Sequence, residues 1–305
     1  MDYFVTASLL NLRSSPVIDP GNVITLLKNQ EVVTVIDTTN ADFYKVRCIQ
    51  ETPQVEGYAS SAFLKPVASM TTVPTGLMVP VNLLPNPASR RNNHAAWQYP
   101  LGEADMPEVD PDSDTNTRIN RMHRIVDWLA VDKSARYQHD AHTYCNIYAY
   151  DYLYLAGVFL PRVWWTGKAL QAVLAGTKVN PVYNMTVEEV NANGLFTWLE
   201  TWGGDYNWVR TYSLDDLQNQ VNQGKTGVIC AANINPNRSE HICCVIPETA
   251  NKTATRASGV VVCPLLSQAG AVNLPYYNNN PWWVKLAQEF RGFGFWYCQI
   301  LAVAE

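Results

Sequence analysis

The chain has 305 residues, 47% of them hydrophobic and 16% charged, with a formal net charge of -5. That length and composition fit about two folded domains and exclude a disordered chain. A pI of about 5.6 and the lack of a long basic run exclude a nucleic-acid footprint. The 10 Trp, 16 Tyr and 8 Phe suit a well-filled core or an aromatic groove. The 7 cysteines are odd in number and show no CxxC, which argues against a disulfide framework or a zinc ribbon. His241, Cys243 and Cys244 are the nearest approach to a metal set, but neighbouring strand residues face opposite ways, so no metal site is expected. Met1 is followed directly by DYFVTASLLNL, with no basic segment ahead of an apolar one, so no secretory leader is expected. No apolar run approaches the roughly 20 residues of a membrane span.

Residues 1–68 read as a small all-β unit. FVTASLLNLR, VITLLKNQEVVTVIDT, FYKVRCI and EGYASSAFLKPV alternate apolar and polar residues, with Asp-Pro-Gly and Thr-Asn-Ala-Asp turns between them. The runs LNLRSSP (10–16), GNVITLLKNQEVVTV (21–35), FYKVRC (43–48) and GYASSAFLKPV (57–67) resemble a bacterial SH3 domain in order and spacing. Ser15 and Asn29 stand where that family has glycines. The resemblance implies either binding of cell-wall peptides or packing beside an attached hydrolase.

Residues 69–112 hold Pro74, Pro80, Pro85, Pro87, Pro100, Pro107 and Pro111 and show no period. They are too long for an ordinary loop and read as a linker or arm. The apolar LMVPVNLLP (77–85) favours an arm lying on the second domain.

Residues 113–305 form that domain. In 115–132, Ile119, Met122, Val126 and Leu129 share one helical face. Residues 143–157 read as a buried helix, with Thr143 to cap its start and Gly157 its end. Residues 186–202 and 213–225 read as further helices, the second opening on a Ser-x-x-Asp cap. Then β-rich runs follow at 226–234, 239–249, 259–270 and 293–303. Helices followed by an antiparallel sheet make an α+β domain.

Cys145 sits near position N2 of its predicted helix, where orphan N–H groups favour an anion. Of the 5 histidines, His241 alone lies in a β-run, 96 residues on (241 − 145). A cysteine nucleophile needs such an imidazole, and a third group to orient it. The next strand offers Ser267 and Gln268, which point to opposite faces. The Gln268 carbonyl suits an imidazole N–H.

Four segments in order, RYQHDAHTYCNIYAYD (136–151), NANGLFTWL (191–199), EHICCVIPE (240–248) and QAGAVN (268–273), resemble the papain-like cysteine peptidases of the NlpC/P60 and CHAP superfamily. The resemblance spans roughly residues 115 to 300. It implies a papain-like fold with Cys145 as nucleophile, His241 as base and Gln268 as the third member. The Cys145 N–H would form part of an oxyanion hole, with Gln138 or Tyr137 as the second donor. The chain departs from the family pattern at Tyr144 and Asn146, which flank the cysteine, and at Glu240, where glycine is usual. A Glu240 carboxylate would either raise the His241 pKa or face solvent. Trp164, Trp165, Trp282 and Trp283 line a groove or fill a core.

The expected function is a peptidoglycan hydrolase, an amidase or endopeptidase of the wall peptide, needing no cofactor or metal. The expected place of action is the bacterial cell wall or periplasm. Its route there would be non-classical export, injection, a phage particle or a leader since removed. Two alternatives stand beside it: an injected papain-like effector acting on a protein (a deamidase, protease or transglutaminase-like enzyme), and a non-catalytic wall-binding protein.

Overall fold

The computed structural model describes residues 2–5, 7, 9–28, 31–48, 55–66, 80–110, 112–235, 238 and 240–298. Asn29, residues 69–79 of the arm and residues 299–303 of the last predicted strand lie outside them. The chain divides into two compact units, Met1–Pro74 and Thr75–Glu305.

The first unit is all-β. Its strands are β1 (Asp2–Val5), β2 (Leu9–Arg13), β3 (Val23–Lys28), β4 (Val32–Asp37), β5 (Phe43–Cys48), β6 (Glu56–Ser60) and β7 (Leu64–Pro66). They form one antiparallel sheet in the order β3-β2-β6-β5-β4-β1-β7. Alternation sends Leu10, Leu12, Leu27, Val33, Val35 and Val46 into one core. The Asp-Pro-Gly turn is fixed by Asp19, whose carboxylate accepts from Gly21 N at 2.8 Å.

The second unit is α+β. Its elements are α1 (Thr115–Leu129), α2 (Cys145–Leu155), β8 (Val163–Trp165), α3 (Gly167–Leu174), β9 (Val187–Glu189), α4 (Ala192–Thr201), β10 (Trp208–Thr211), α5 (Leu214–Asn222), β11 (Thr226–Asn233), β12 (Ile242–Val245), β13 (Thr255–Ala257), β14 (Val260–Cys263), β15 (Leu266–Gln268), β16 (Leu274–Tyr277), α6 (Trp282–Lys285) and β17 (Phe290–Cys298). The main sheet is antiparallel, in the order β10-β17-β11-β12-β15-β16. Strand alternation splits its core in two. Val228, Cys230, Ile242 and Cys244 pack with α1, α2 and α4. Ile229, Ala231, Cys243 and Val245 pack with α5, Trp282 and Trp283. Cys243 and Cys244 thus lie in different cores.

Several predicted elements move. In α1 the buried residues are Met122, Ile125, Val126 and Leu129, while Ile119 is only half-buried. The helix expected from 186 begins at Ala192, because 187–189 pair with 163–165 as a two-stranded antiparallel sheet. Asn191 then caps α4 by accepting from Gly194 N at 3.0 Å. The run 259–270 is broken at Pro264, which lacks an N–H. Residues before it pair with β13, and those after it join the main sheet. The Ser-x-x-Asp cap of α5 forms, Ser213 accepting from Asp216 N at 3.2 Å.

Residues 80–110 hold no helix or strand, yet they are fastened to the second unit. Val81, Leu83, Leu101 and Val109 are buried. Arg136 is the principal anchor. Its Nη2 donates to Tyr99 O at 3.2 Å, and its backbone N donates to Arg91 O at 3.0 Å. Its carbonyl in turn accepts from Trp97 Nε1 at 3.2 Å.

Candidate active site

Cys145 is the first residue of α2, not the second, and Tyr144 rather than Thr143 is the residue ahead of it. Tyr144 makes no side-chain cap bond. Its hydroxyl donates to Asp140 at 2.9 Å, and its ring stacks on Trp97 of the arm at 4.8 Å. Cys145 is 3% exposed. Its Sγ lies 3.8 Å from Glu240 O.

The strand explains that position. Ala231 N donates to His241 O at 3.0 Å, so the 241 backbone faces β11. By alternation Glu240 O and Ile242 N face the other edge. There β12 and β15 pair at 244–245 with 266–267, and among the described residues that ladder does not reach 240–242. The thiol from α2 occupies that edge. Burial pushes its pKa up, opposed by the N–H groups of Ile242, Asn146 and Cys145 itself and by the charge of Arg162. No hydrogen bond joins the thiol to the His241 ring.

His241 and Gln268 do meet. His241 Nε2 lies 2.8 Å from Gln268 Oε1. The same Oε1 accepts from Tyr277 Oη at 2.6 Å, while Gln268 Nε2 donates to Val272 O at 3.1 Å. The amide oxygen is therefore the end that faces the imidazole. An acceptor at Nε2 places the ring proton there and leaves Nδ1 as the basic nitrogen. Burial lowers the His241 pKa to about 4, partly opposed by the Gln268 bond. At neutral pH the imidazole and the thiol are both uncharged. Ser267 faces the other way, and its hydroxyl bonds Tyr148 on α2.

A cavity of about 220 Å³ opens beside the ring, lined by Thr143, Glu240, His241, Gln268, Gly270 and Trp282 among others. Trp282 meets His241 edge-on at 4.9 Å. A Cβ on Gly270 would come within 3.4 Å of His241 Cε1, so glycine lets the turn close against the ring. Trp283 is buried in the core.

The remaining site candidates serve as braces. Tyr137 is fully buried and donates its hydroxyl to Asp151 at 2.8 Å, which removes it as an oxyanion donor. Gln138 is exposed and its amide donates to Ser134 O at 3.2 Å. Asn146 donates to Val190 O at 2.9 Å. The Glu240 carboxylate accepts from Asn233 and does not bond His241. The quoted motifs interlock in space. Arg136 and Asp151 form a buried pair at 2.6 Å. Asn193 Oδ1 accepts from Asn233 N at 3.0 Å and Glu240 N at 3.2 Å. Asn273 Nδ2 donates to Tyr137 O at 2.8 Å.

Sequence reading missed Tyr277 and Arg162; of the four tryptophans it left between groove and core, Trp282 lines this cavity. Arg162 is 2% exposed and bonds Trp97 O, Val190 O and Glu189. An arginine beside apolar residues in "LPRVWW" was the one visible signal.

No curated protein matches the chain. Residues 8–65 match the family model of the bacterial SH3 domain, and the match stops short of the second unit. The N-terminal unit is thus a bacterial SH3 domain, by its sequence match and by its all-β fold.

Proposed function

We infer that the second unit is a papain-like thiol hydrolase of peptide or amide bonds in the bacterial cell wall, with the SH3 domain binding wall. One observation carries this most directly. The Gln268 amide oxygen holds His241 with Nδ1 basic, one residue from the carbonyl that Cys145 Sγ approaches. The four-motif resemblance and the neighbouring bacterial SH3 domain support the same reading.

In this mechanism the substrate brings the neutral thiol and Nδ1 together. Nδ1 takes the thiol proton as Sγ attacks the amide carbonyl carbon. Helix-start N–H groups, Cys145 N among them, stabilise the oxyanion. The C–N bond breaks as His241 returns the proton to the leaving amine. Water then adds to the thioester, with His241 again as base, releasing the acid and restoring the thiol. No step calls for a cofactor.

The near-complete burial of Cys145 favours a second reading, a wall-binding protein with no turnover. Purified sacculi incubated with wild type and with Cys145→Ala separate the two. The hydrolase reading expects soluble fragments from wild type only, and their masses name the bond. Retention on sacculi with no fragments from either protein establishes the binding reading. Fragments from both remove Cys145 as nucleophile.

A further inference from the structure

A larger cleft, of about 680 Å³, lies on the same unit. One wall is the two-stranded β8–β9 sheet, where Trp164 pairs with Glu188 across the strands. Residues directly opposite share a face, so a carboxylate stands beside an indole. Trp165 extends this wall. The facing wall is α4, whose Asn193, Thr197 and Thr201 recur every four residues and so line one side of the helix. The lining carries Glu188, Glu189 and Arg291, and buried Arg162 pairs with Glu189 at 2.9 Å. The two carboxylates are thus balanced by two guanidiniums.

We propose that this cleft binds a neutral N-acetylated sugar chain, the glycan strand, and presents the peptide attached to it to Cys145 and His241. Aromatic faces stack on the C–H face of a pyranose, and carboxylate, amide and hydroxyl side chains bond its hydroxyl and acetamido groups. A charge-balanced lining neither requires nor favours an ionic ligand. The cleft is tied to the segment that carries His241. Asn193 lines it and accepts from Glu240 N at 3.2 Å, and Glu240 lines the cavity beside His241. A sugar seated against α4 therefore lies one hydrogen bond from the backbone that leads into His241. The choice of an N-acetylated sugar rests on the wall-hydrolase reading; the stacking site rests on the cleft alone.

The test titrates the full chain carrying Cys145→Ala with chitotetraose, reading tryptophan emission. All 10 Trp follow residue 96, so the signal reports the second unit and not the SH3 domain. The expected result is a saturable change in emission. Trp164→Ala should weaken it by at least ~10-fold, about one hot-spot aromatic. Glu188→Gln, on an exposed residue that does not threaten folding, should weaken it severalfold. No saturable change overturns the proposal. So does an unaltered titration in both variants, or a free wall tetrapeptide that titrates in place of the sugar and depends on Trp164. Binding needs no turnover here. A protein that binds chitotetraose yet leaves sacculi intact loses the hydrolase reading only, and one that digests sacculi without binding chitotetraose loses only the glycan cleft.

Discussion

Gln268 is held at both ends of its amide, by Tyr277 Oη at 2.6 Å and by Val272 O at 3.1 Å. Turning the amide over would set its NH₂ against a hydroxyl donor and its oxygen against a carbonyl. Tyr277 is thus a positioning residue: it acts through Gln268 to fix the tautomer of His241. In Tyr277→Phe one of the two constraints goes. The amide can then present NH₂ to Nε2, which moves the ring proton to Nδ1 and removes the base. Nitrogen chemical shifts of His241 should move toward the Nδ1–H tautomer, and on the hydrolase reading kcat/KM should fall by up to roughly 100-fold, the lower end of general-base losses. In a Gln268→Glu background either oxygen of the carboxylate accepts, so Tyr277→Phe should cost nothing further. An equal loss in both backgrounds would make Tyr277 a packing residue. The pH profile checks the same site. With His241 lowered to about 4, its base form is complete by pH 6, and protonation removes it only as the pH falls through about 4. The acid limb of kcat/KM should therefore lie near pH 4, and a limb at 6.5 would mean a solvated ring. Stability follows the same sign. The unfolded histidine takes up a proton from about pH 6.5 downward, while the folded one resists until about 4. Folding is weakened across that window, and His241→Gln should flatten it.

Helix α4 separates two kinds of asparagine. Asn191 caps it through Gly194 N at 3.0 Å. Asn193, the second residue of the helix, holds the N–H groups of Asn233 and Glu240 and so fixes the backbone that leads into His241. Asn191→Ala should cost about 1 kcal/mol of stability and leave turnover unchanged. Asn193→Ala leaves two N–H groups short of a partner, about 1–3 kcal/mol each if water does not replace it. It should also lower kcat, because Cys145 Sγ rests on the Glu240 carbonyl. Urea midpoints beside sacculus digestion rates distinguish them; equal loss of activity in both would refute the division of roles. The motif NANG was visible in the sequence, but not that one asparagine caps and the other braces. The reason is long range: residues 233 and 240 meet 193 only in the folded sheet. The same physics hid β9. Val187–Glu189 carries good helix formers and reads as a helix start, yet pairing with 163–165 overrides that preference. β16 was missed too, and with it Tyr277. The strand run 226–234, the Ser213 cap and the SH3 strands were legible, because each is set by local alternation or a local hydrogen bond.

Each unit owns a core: Val33, Val35 and Val46 with their neighbours in the first, and the two faces of the main sheet in the second. Damage confined to one core should therefore unfold one unit. The sharpest lever is Asp151, fully buried on α2, which accepts from Arg136 Nε at 2.6 Å and Tyr137 Oη at 2.8 Å. Arg136 in turn carries the arm through Tyr99 O and Arg91 O. Asp151→Ala strands a buried guanidinium, a loss of about 3–5 kcal/mol. For a domain of this size that is a fall of roughly 10 °C in Tm. Tryptophan emission reads the second unit alone and should record the whole fall. Deuterium exchange of residues 31–48, the β4–β5 region of the SH3 domain, should stay as in wild type at the temperature where the second unit has melted. Replacing the pair by apolar residues, Arg136→Met with Asp151→Leu, should recover much of the loss, because the penalty lies in the stranded charge. Arm contacts made by the guanidinium would still be missing, so exchange in residues 95–100 should remain faster than in wild type even where Tm recovers. A coincident collapse of both units in Asp151→Ala would show instead that the SH3 domain depends on its neighbour for stability.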